Sequence, residues 1–309
     1  MFQRKPIKWP NGERVAITIC LCMESWPEDL GTPNSLQSGL RQGPPAEARF
    51  QRDIALITDR QYGERIGVYR AMEVLRREGI RASFFVNGYT VEAFPKLMKE
   101  IVAEGHELGS ENWHHEYVIM MSADEQRANF KRTVDTFQRV LGFKPQGFMI
   151  PGEKPTDETP GFLVELGYKY WMCFLNEDLP YVLKVNGGEL VMASGGLWMT
   201  DHRTASGNAG LIPRDLLQIW KDNFDWVYEE GEDYPGFISI TLHPFLIGRP
   251  FRAIILREFL RYAKGHPGVW FPRGIDLVNY WLKNWRDNLV ERWPNYGTGL
   301  PYEKTRTTD

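Results

Sequence analysis

The chain has 309 residues, of which 42% are hydrophobic and 25% are charged, and its formal net charge is -3. This composition is ordinary for a globular protein, and the small charge gives no reason to expect binding to nucleic acid or to an anionic membrane. No apolar run approaches the length of a membrane span, and the polar N-terminus lacks the apolar stretch of a signal peptide. Three cysteines do not make a disulfide framework, so we expect a cytoplasmic protein.

Short apolar runs alternate with amphipathic stretches along the chain. The predicted strands are residues 15–23, 83–86, 107–109, 146–150, 169–174, 190–193, 237–242 and 269–271. The predicted helices are residues 66–79, 95–104, 122–141, 159–166, 213–230, 252–264 and 275–292. This alternation predicts parallel strands joined by right-handed crossovers, and hence an α/β fold built as a distorted (β/α)7–8 TIM-like barrel. A doubly wound open sheet is the alternative architecture.

Two segments interrupt this pattern. Residues 24–65 are rich in Gly and Pro, and a loop of that length inside a compact domain is usually functional or interfacial. The tail, residues 294–309, has an irregular pattern. We therefore expect residues 1–309 to form a single catalytic domain with a long loop insertion and an irregular C-terminal tail.

The segment from Gly105 to His115 holds three of the six histidines of the chain. Within it, Glu111 and His115 are four positions apart, a spacing that points two side chains the same way on one turn of helix or on a tight loop that enters a helix. A carboxylate and an imidazole side by side can hold a divalent metal ion, whereas a surface ion pair is the alternative interpretation.

Further polar groups follow other predicted strands. Cys22 and Glu24 end the first strand, Glu111 and His115 follow the third, and His243 ends a late one. In a barrel or an open α/β sheet, functional groups converge at the carboxyl ends of the strands. The convergence of three distant segments favours a metal site over a surface pair. Asp201 and His202 either reach the same pocket or cap a turn.

Several short motifs carry a family resemblance that spans roughly residues 10–285. They are residues 62–70 (YGERIGVYR), 82–86 (ASFFV), 105–109 (GHELG), 177–181 (EDLPY), 242–250 (LHPFLIGRP) and 269–271 (VWF). Together they resemble the polysaccharide deacetylase (NodB homology) superfamily. The resemblance is greatest to the branch that holds metal-independent allantoinase, cyclic imidase and Helicobacter-type peptidoglycan deacetylase.

The resemblance implies a distorted barrel that hydrolyses an amide C–N bond with a divalent ion, commonly zinc, held by Asp, His and His. A separate Asp serves as base and a late His as acid. In this chain Glu24 takes the position of the metal-binding Asp, Cys22 that of the base, and Glu111 that of the first metal-binding His. His115 and His243 match the second ligand and the acid. The Arg of the third motif is missing.

Three alternatives follow for the chemistry. Glu24, Glu111 and His115 hold a metal ion, zinc first and manganese or iron next; or the pocket is metal-free with Glu24 or Glu111 as the base; or the fold has become a binding protein. Cys22 is either a nucleophile or a buried thiol.

The expected substrate is a small amide, cyclic imide or ureide, ranked above the N-acetyl group of a polysaccharide. The candidate substrate contacts are Trp26, Trp113, Trp171 and Trp198, with Pro151 in the third motif. The resemblance also implies a homo-oligomer, either a tetramer or a dimer.

Overall fold

The structure is a computed structural model that describes residues 6–24, 54–172, 174–193, 199–204 and 212–292. Over these ranges one sheet contains β1 (Val15–Met23), β2 (Ser83–Val86), β3 (Glu107–Ser110), β4 (Gly147–Phe148), β5 (Tyr170–Trp171), β6 (Tyr181–Val185), β7 (Gly188–Met192), β8 (Gly236–Leu242), β9 (Val269–Trp270) and β10 (Val290–Arg292). The strand order is β10-β6-β7-β5-β4-β3-β2-β1-β8, and β9 also pairs with β1. The strand pairs are parallel apart from the antiparallel pair of β6 and β7.

The sheet curls into a half-barrel with β8 and β10 at its two ends, and in the described ranges no pairing joins these ends. Strand β1 lies beside the end strand β8 and has partners on both sides, because it pairs with β8 along one side and with β9 and then β2 along the other. The predicted α/β barrel-like fold is confirmed, with the sheet left open.

Helices pack on the outer face of the sheet, except that the last one packs through Leu277, Val278 and Trp281 against the inner face. They are α1 (Ile54–Tyr62), α2 (Val68–Glu78), α3 (Gly88–Ala93), α4 (Pro95–Ala103), α5 (Ala123–Leu141), α6 (Thr159–Leu166), α7 (Pro213–Glu230), α8 (Pro244–Ile247), α9 (Pro250–Lys264) and α10 (Gly274–Asn284). A search of the described helices finds none that is long and apolar enough to cross a membrane. The largest core cluster joins β1, β2 and β8 to α2, α7 and α9.

Strand β1 shows how the sequence separates an outer from an inner face. All nine of its residues are buried, as expected for a parallel strand that is covered on both sides. Its odd-numbered residues pack with the outer helices, whereas Ala16, Cys20 and Cys22 belong to an inner core with Tyr170 and Trp281. Because successive side chains of a strand point to opposite faces, the next even-numbered residue, Glu24, continues the inner face.

Helix α1 corrects the prediction of a loop over residues 24–65. It is followed by a π-helical turn at Gly63–Gly67, which runs directly into α2. The helical stretch predicted to begin at residue 66 therefore begins at residue 54. Helix α1 buries Leu56, Ile57 and Arg60, a face with only two apolar members. Such a short apolar face gives a weak helical pattern, and the helix depends on tertiary packing.

The C-terminal prediction also needs correction. The helix predicted over residues 275–292 ends at Asn284, and residues 290–292 form β10 beside β6. Neither β6 nor helix α3 was predicted. Strand β10 pairs with β6 across about a hundred residues, so no local pattern indicated it. Strand β6 instead forms a hairpin with β7 through Asn186 and Gly187, a local turn signal that the sequence interpretation missed. The predicted tail, residues 294–309, lies outside the described residues.

The amino ends of the strands are closed by hydrogen bonds to Glu107, the first residue of β3. Its carboxylate accepts from the hydroxyl of Ser83 at 2.6 Å, the hydroxyl of Tyr170 at 2.9 Å and the amide of Ile275 at 2.9 Å. Burial raises the pKa of Glu107 above its usual value. This network joins β2, β3, β5 and α10 at the end of the sheet opposite to the predicted site.

Candidate active site

The carboxyl ends of β1, β3 and β8 bring the predicted polar side chains together. Glu24 follows β1, Glu111 follows β3, and His243 follows β8. Each continues the inner-facing alternation of its strand, as Cys22 does within β1. His115 completes the group, and all five side chains are buried.

Glu24 lies at the centre of this group. Its Oε1 atom is 3.1 Å from Nε2 of His115 and 3.9 Å from Nε2 of His243. One potential ligand atom from each of Glu24, Glu111 and His115 lies within 4.8 Å of the other two. The buried Oε2 atom of Glu24 has no hydrogen-bond partner among the described residues. An unsatisfied buried acceptor costs about 1–3 kcal/mol, so a bound cation or donor is expected to stabilise this oxygen.

The segment from Glu111 to His115 is a loop, the second of the two backbone forms that its spacing allows. The amide of Glu111 still donates to the carbonyl of Val86 at 2.9 Å, so the chain is extended at this point. The ring of His114 packs on Tyr89 with the centroids 4.9 Å apart. Therefore His115, and not His114, reaches Glu24.

The two carboxyl groups of the site differ in pKa. Burial by itself would raise the pKa of Glu24, but attraction and hydrogen bonding to His115 outweigh it and leave that pKa below its usual value. Burial and the charge of Glu24 raise the pKa of Glu111 well above its usual value. Without a cation, Glu24 therefore carries the negative charge and Glu111 retains its proton.

Asp201 holds His243 in a fixed orientation. Its Oδ1 atom is 2.7 Å from Nδ1 of His243, and its Oδ2 atom accepts from the amide of the same residue at 3.0 Å. Burial would lower the pKa of His243, but the charge and hydrogen bond of Asp201 raise it above the usual value. The ring of His202 packs 3.9 Å from that of His243, centroid to centroid, and burial keeps the pKa of His202 well below normal. Asp201 thus supports the imidazole whose Nε2 faces Glu24.

Cys22 lies in the floor of the site as a neutral thiol. Its Sγ atom donates to the sulfur of Met149 at 3.2 Å, where the resemblance had implied an Arg. Burial, followed by the charges of Glu111 and Glu24, raises the pKa of Cys22 well above its usual value. A thiol is a poor nucleophile until it loses its proton, so this environment favours the buried-thiol interpretation.

Of the predicted aromatic walls, the two that the structure describes pack elsewhere than around Glu24. The ring of Trp113 packs beneath Arg132 of α5, whose guanidinium carbon is 3.6 Å from the ring centroid. Trp171 is fully buried in the outer core. Pro151 begins a short 3₁₀ turn just after β4, at the same edge of the sheet as the site. Trp26 and Trp198 lie outside the described residues.

Arg60 is a residue of this region that the sequence did not point to. It is buried on α1, and its guanidinium carbon lies 4.0 Å from the ring centroid of Phe245, the second residue of α8. Burial lowers the pKa of Arg60 to about 10, against the charge of Glu24. A buried cation near Glu24 favours the ionised carboxylate. Arg60 follows Ile57 by three positions and Leu56 by four, and this spacing was the available helical signal.

The residues of the site fit a divalent metal ion. Two carboxylates and one imidazole are suitable ligands for zinc, and the oxygen ligands also admit manganese or iron. Two buried carboxyl groups as close as Glu24 and Glu111 need either a shared proton or a cation between them. The unpaired Oε2 atom of Glu24 is an acceptor that such a cation would satisfy.

Comparison with known proteins gives consistent sequence matches. A family model described as polysaccharide deacetylase matches residues 49–171. The chain is 25% identical over 249 residues to a peptidoglycan deacetylase of Helicobacter pylori, an alignment that covers 71% of this chain and 84% of the relative.

Two solved structures resemble nearly the whole chain. A probable polysaccharide deacetylase from Pseudomonas aeruginosa PAO1 superposes with a TM-score of 0.81 and 26% sequence identity, covering 89% of this chain and 93% of the other. A Puue allantoinase superposes with a TM-score of 0.82 and 26% identity, covering 89% of this chain and 92% of the other.

Proposed function

The chain belongs to the polysaccharide deacetylase (NodB homology) superfamily, and from this premise we propose that it hydrolyses a non-peptide C–N bond at the group formed by Glu24, Glu111, His115 and His243. The observation that carries the proposal is the position of Glu24. Its carboxylate lies between His115 and His243, and the second histidine is supported by a carboxylate of its own.

His243 is the proposed acid. When the C–N bond of an amide breaks, the leaving nitrogen needs a proton, and Nε2 of His243 faces the centre of the group. Asp201 fixes the ring through Nδ1 and raises the pKa of His243, so the protonated form persists to higher pH than for a free histidine. A positioned acid of this kind typically contributes about 10²–10⁴-fold to the rate.

Glu24, Glu111 and His115 are the proposed ligands of one divalent ion, zinc in the first instance and manganese or iron as the alternatives. When bound, such an ion would act as a Lewis acid on the substrate carbonyl and activate water near neutral pH. The protein orients this ligand set itself. The side-chain amide of Asn87 donates to Oε2 of Glu111 at 3.3 Å, and outer hydrogen bonds of this kind fix the direction of a ligand.

A metal-free hydrolase is the second candidate, and one observation favours it. The pKa of Glu24 is lowered and that of Glu111 is raised, although the two carboxyl groups are neighbours. Neighbouring groups with divergent pKa values commonly divide the roles of base and acid. In this case Glu24 accepts the proton of the attacking water, and His243 protonates the leaving nitrogen.

The proposed substrate is a small amide, cyclic imide or ureide. The structural similarity to a Puue allantoinase supports this class, whereas the sequence similarity to a peptidoglycan deacetylase supports an N-acetylated sugar as the competing class. The buried position of the reacting groups favours a compact substrate over a polymer chain.

A substrate panel tests this proposal. We expect hydrolysis of at least one among allantoin, hydantoin, succinimide and simple amides, with weaker action on N-acetylglucosamine oligomers. His243→Ala should lower kcat far more than it raises KM. The matched control is His266→Ala, since His266 packs on Tyr262 and Phe224 away from the site. A chelator separates the two candidates, because it abolishes turnover in the metal-dependent case alone. Tight ligand binding without turnover would identify a binding protein.

The assembly and location of the protein are separate proposals. The resemblance supports a homo-oligomer, a dimer or a tetramer, and the small number of cysteines supports a cytoplasmic location. Light scattering of the purified chain tests the first of these directly, and a monomeric mass would contradict it.

A further inference from the structure

We propose that Cys22, Glu24 and His243 form a second cation site, which binds a thiophilic divalent ion such as Zn²⁺ or Cd²⁺ and thereby takes His243 out of the reaction. One ligand atom from each of these three residues lies within 4.8 Å of the other two, and all three side chains are buried. The set shares Glu24 with the proposed Glu24–Glu111–His115 site and contains none of its other members.

The spacing suits direct coordination. Tetrahedral zinc with bonds of roughly 2.0–2.3 Å holds its ligand atoms roughly 3.3–3.8 Å apart. Oε1 of Glu24 and Nε2 of His243 are 3.9 Å apart, so a small movement of either side chain brings them to this separation. The distances to His115 and His243 both run from Oε1 of Glu24, so occupation of both sites requires the carboxylate to turn and offer Oε2 to one of the two ions. Its Oε2 atom is buried without a hydrogen-bond partner in the described parts of the chain.

The support of His243 also matches that of a metal ligand. Histidines that bind metals usually donate their other N–H group to a carboxylate, which fixes the ring and increases its basicity. Asp201 provides such a carboxylate at 2.7 Å from Nδ1 and leaves Nε2 directed at Glu24. The hydrogen bond to Asp201 that orients His243 as an acid therefore also orients it as a metal ligand.

Cys22 determines which ion is bound. A thiolate selects Zn²⁺ and softer ions over Mg²⁺, Ca²⁺ and Mn²⁺. Binding forms the sulfur–metal bond as the thiol releases its proton to solvent, and a protonated His243 releases one more. A thiolate without a counter-charge is unfavourable in a buried site, and the positive charge of the bound ion compensates for it. The loss of turnover depends on the proposed function of His243, whereas the binding itself does not.

Cadmium binding tests the site independently of turnover. Cd²⁺ is added to the metal-loaded protein while the thiolate-to-cadmium absorption and the total metal content are measured. We expect an absorption band that saturates at one Cd²⁺ per chain, with the first ion retained, and turnover that falls in parallel. Cys22→Ser should lack this band and need at least about tenfold more Cd²⁺ for inhibition.

Cys20→Ser is the matched control. Cys20 is the neighbouring inner-facing thiol of β1, contacts Met172 and Ser239, and lies outside the ligand set. This variant should keep the band and the inhibition. If Cys22→Ser does not fold, His243→Gln serves in its place and should weaken Cd²⁺ binding at least about tenfold.

Three results would overturn the inference: an equal band in wild type and Cys22→Ser, no band in wild type, or unchanged Cd²⁺ affinity in His243→Gln. Loss of the first ion as Cd²⁺ binds would overturn the shared use of Glu24. A band without any turnover would contradict the proposed function and leave the cation site standing. Turnover without a band would support the proposed function and overturn the second cation site.

Discussion

At the scale of single residues, His243 and Asp201 act as one unit. Asp201 raises the pKa of His243 against the effect of burial. His243 must be protonated in order to donate, so activity is present below its folded-state pKa and is lost as the pH rises through it. The alkaline limb of the pH profile therefore reports on the contact between these two side chains.

Asp201→Asn should move that limb to lower pH. Removing the carboxylate charge lowers the pKa of His243, and we expect kcat to fall by about 10²–10⁴-fold because the ring also loses its orientation. The measurement is kcat against pH for both proteins. Asp233→Asn, at an exposed aspartate remote from the site, is the control and should leave the profile unchanged. An alkaline limb that does not move would remove Asp201 from this role.

Arg60→Gln should move the acid limb to higher pH. Glu24 has a lowered pKa, chiefly through His115 and in part through Arg60, and it functions as the ionised carboxylate above that pKa. Without Arg60 the pKa of Glu24 rises, so activity is lost at a higher pH than in wild type. The profile of kcat/KM against pH measures this. Arg65→Gln, at an exposed arginine one turn onward, is the control, and equal acid limbs in all three proteins would contradict the expectation.

The sequence pointed to candidate site residues that are chemically distinctive and stand at or after strand ends, and the structure brings them together. Glu24, Glu111, His115 and His243 were predicted in this way. Arg60 was not, because it lies in a stretch whose helical pattern is weak, and its proximity to Glu24 arises only in the folded chain. The position of Trp113 could not be predicted either, because spacing alone does not reveal that its ring packs under α5.

At the scale of elements, the π-helical turn Gly63–Gly67 sets the position of α8 and thus of His243. A Cβ atom at Gly67 would collide with the carbonyl oxygen of Pro244, the first residue of α8. Gly248, at the end of α8, makes the reciprocal approach to Gly67. Backbone atoms on both sides of this contact leave no side chain that could move away.

Gly67→Ala should therefore damage both stability and activity. Overpacking of this kind costs about 1–3 kcal/mol, and a shift of α8 moves the neighbouring His243 out of place. Chemical denaturation and kcat are the measurements. Gly161→Ala in α6 is the control, because a Cβ atom there meets nothing within 4 Å, and the change should be neutral or stabilise by about 0.5–1 kcal/mol. Equal behaviour of the two variants would show that the contact is not tight.

Strongly periodic elements were predicted well, and elements that depend on distant partners were not. Helix α5 was predicted from its capping box, in which Ser122 accepts from the amide of Glu125 and the glutamate side chain accepts in return. Strand β10 has three residues and forms because it pairs with β6, so the sequence around it contains no pattern that predicts a strand. The opening of the barrel is likewise a property of strand pairing and not of any single segment.

At the scale of the whole molecule, the two ends of the sheet have different roles. The carboxyl ends hold Oε2 of Glu24, a buried oxygen that finds no hydrogen-bond partner among the residues that the structure describes. The amino ends hold Glu107, whose carboxylate accepts three hydrogen bonds. A fully satisfied buried network contributes to stability, whereas an unsatisfied acceptor is a feature of sites that bind a ligand.

Glu107→Ala should lower the free energy of unfolding by about 3 kcal/mol or more, because it leaves several buried donors without an acceptor. The folded fraction should keep kcat/KM within about twofold of wild type, since the change lies at the far end of the sheet. Glu24→Gln is the matched comparison and should show the opposite pattern, with a large loss of activity and little loss of stability. Denaturation curves and kinetics on the same preparations decide the matter, and a loss of kcat/KM in folded Glu107→Ala would contradict the division of roles.

The central claim is that Glu24, Glu111 and His115 hold one divalent ion, and metal analysis of protein purified without added metal tests it most directly. We predict one equivalent of zinc, manganese or iron per chain in wild type and in His266→Ala. In a Cys22→Ser background, which removes the second cation site, the content should fall by at least about tenfold in Glu111→Ala and in His115→Ala, because each removes one of three ligands. Full metal content in both variants, or a metal-free wild type that still hydrolyses its substrate, would contradict the claim.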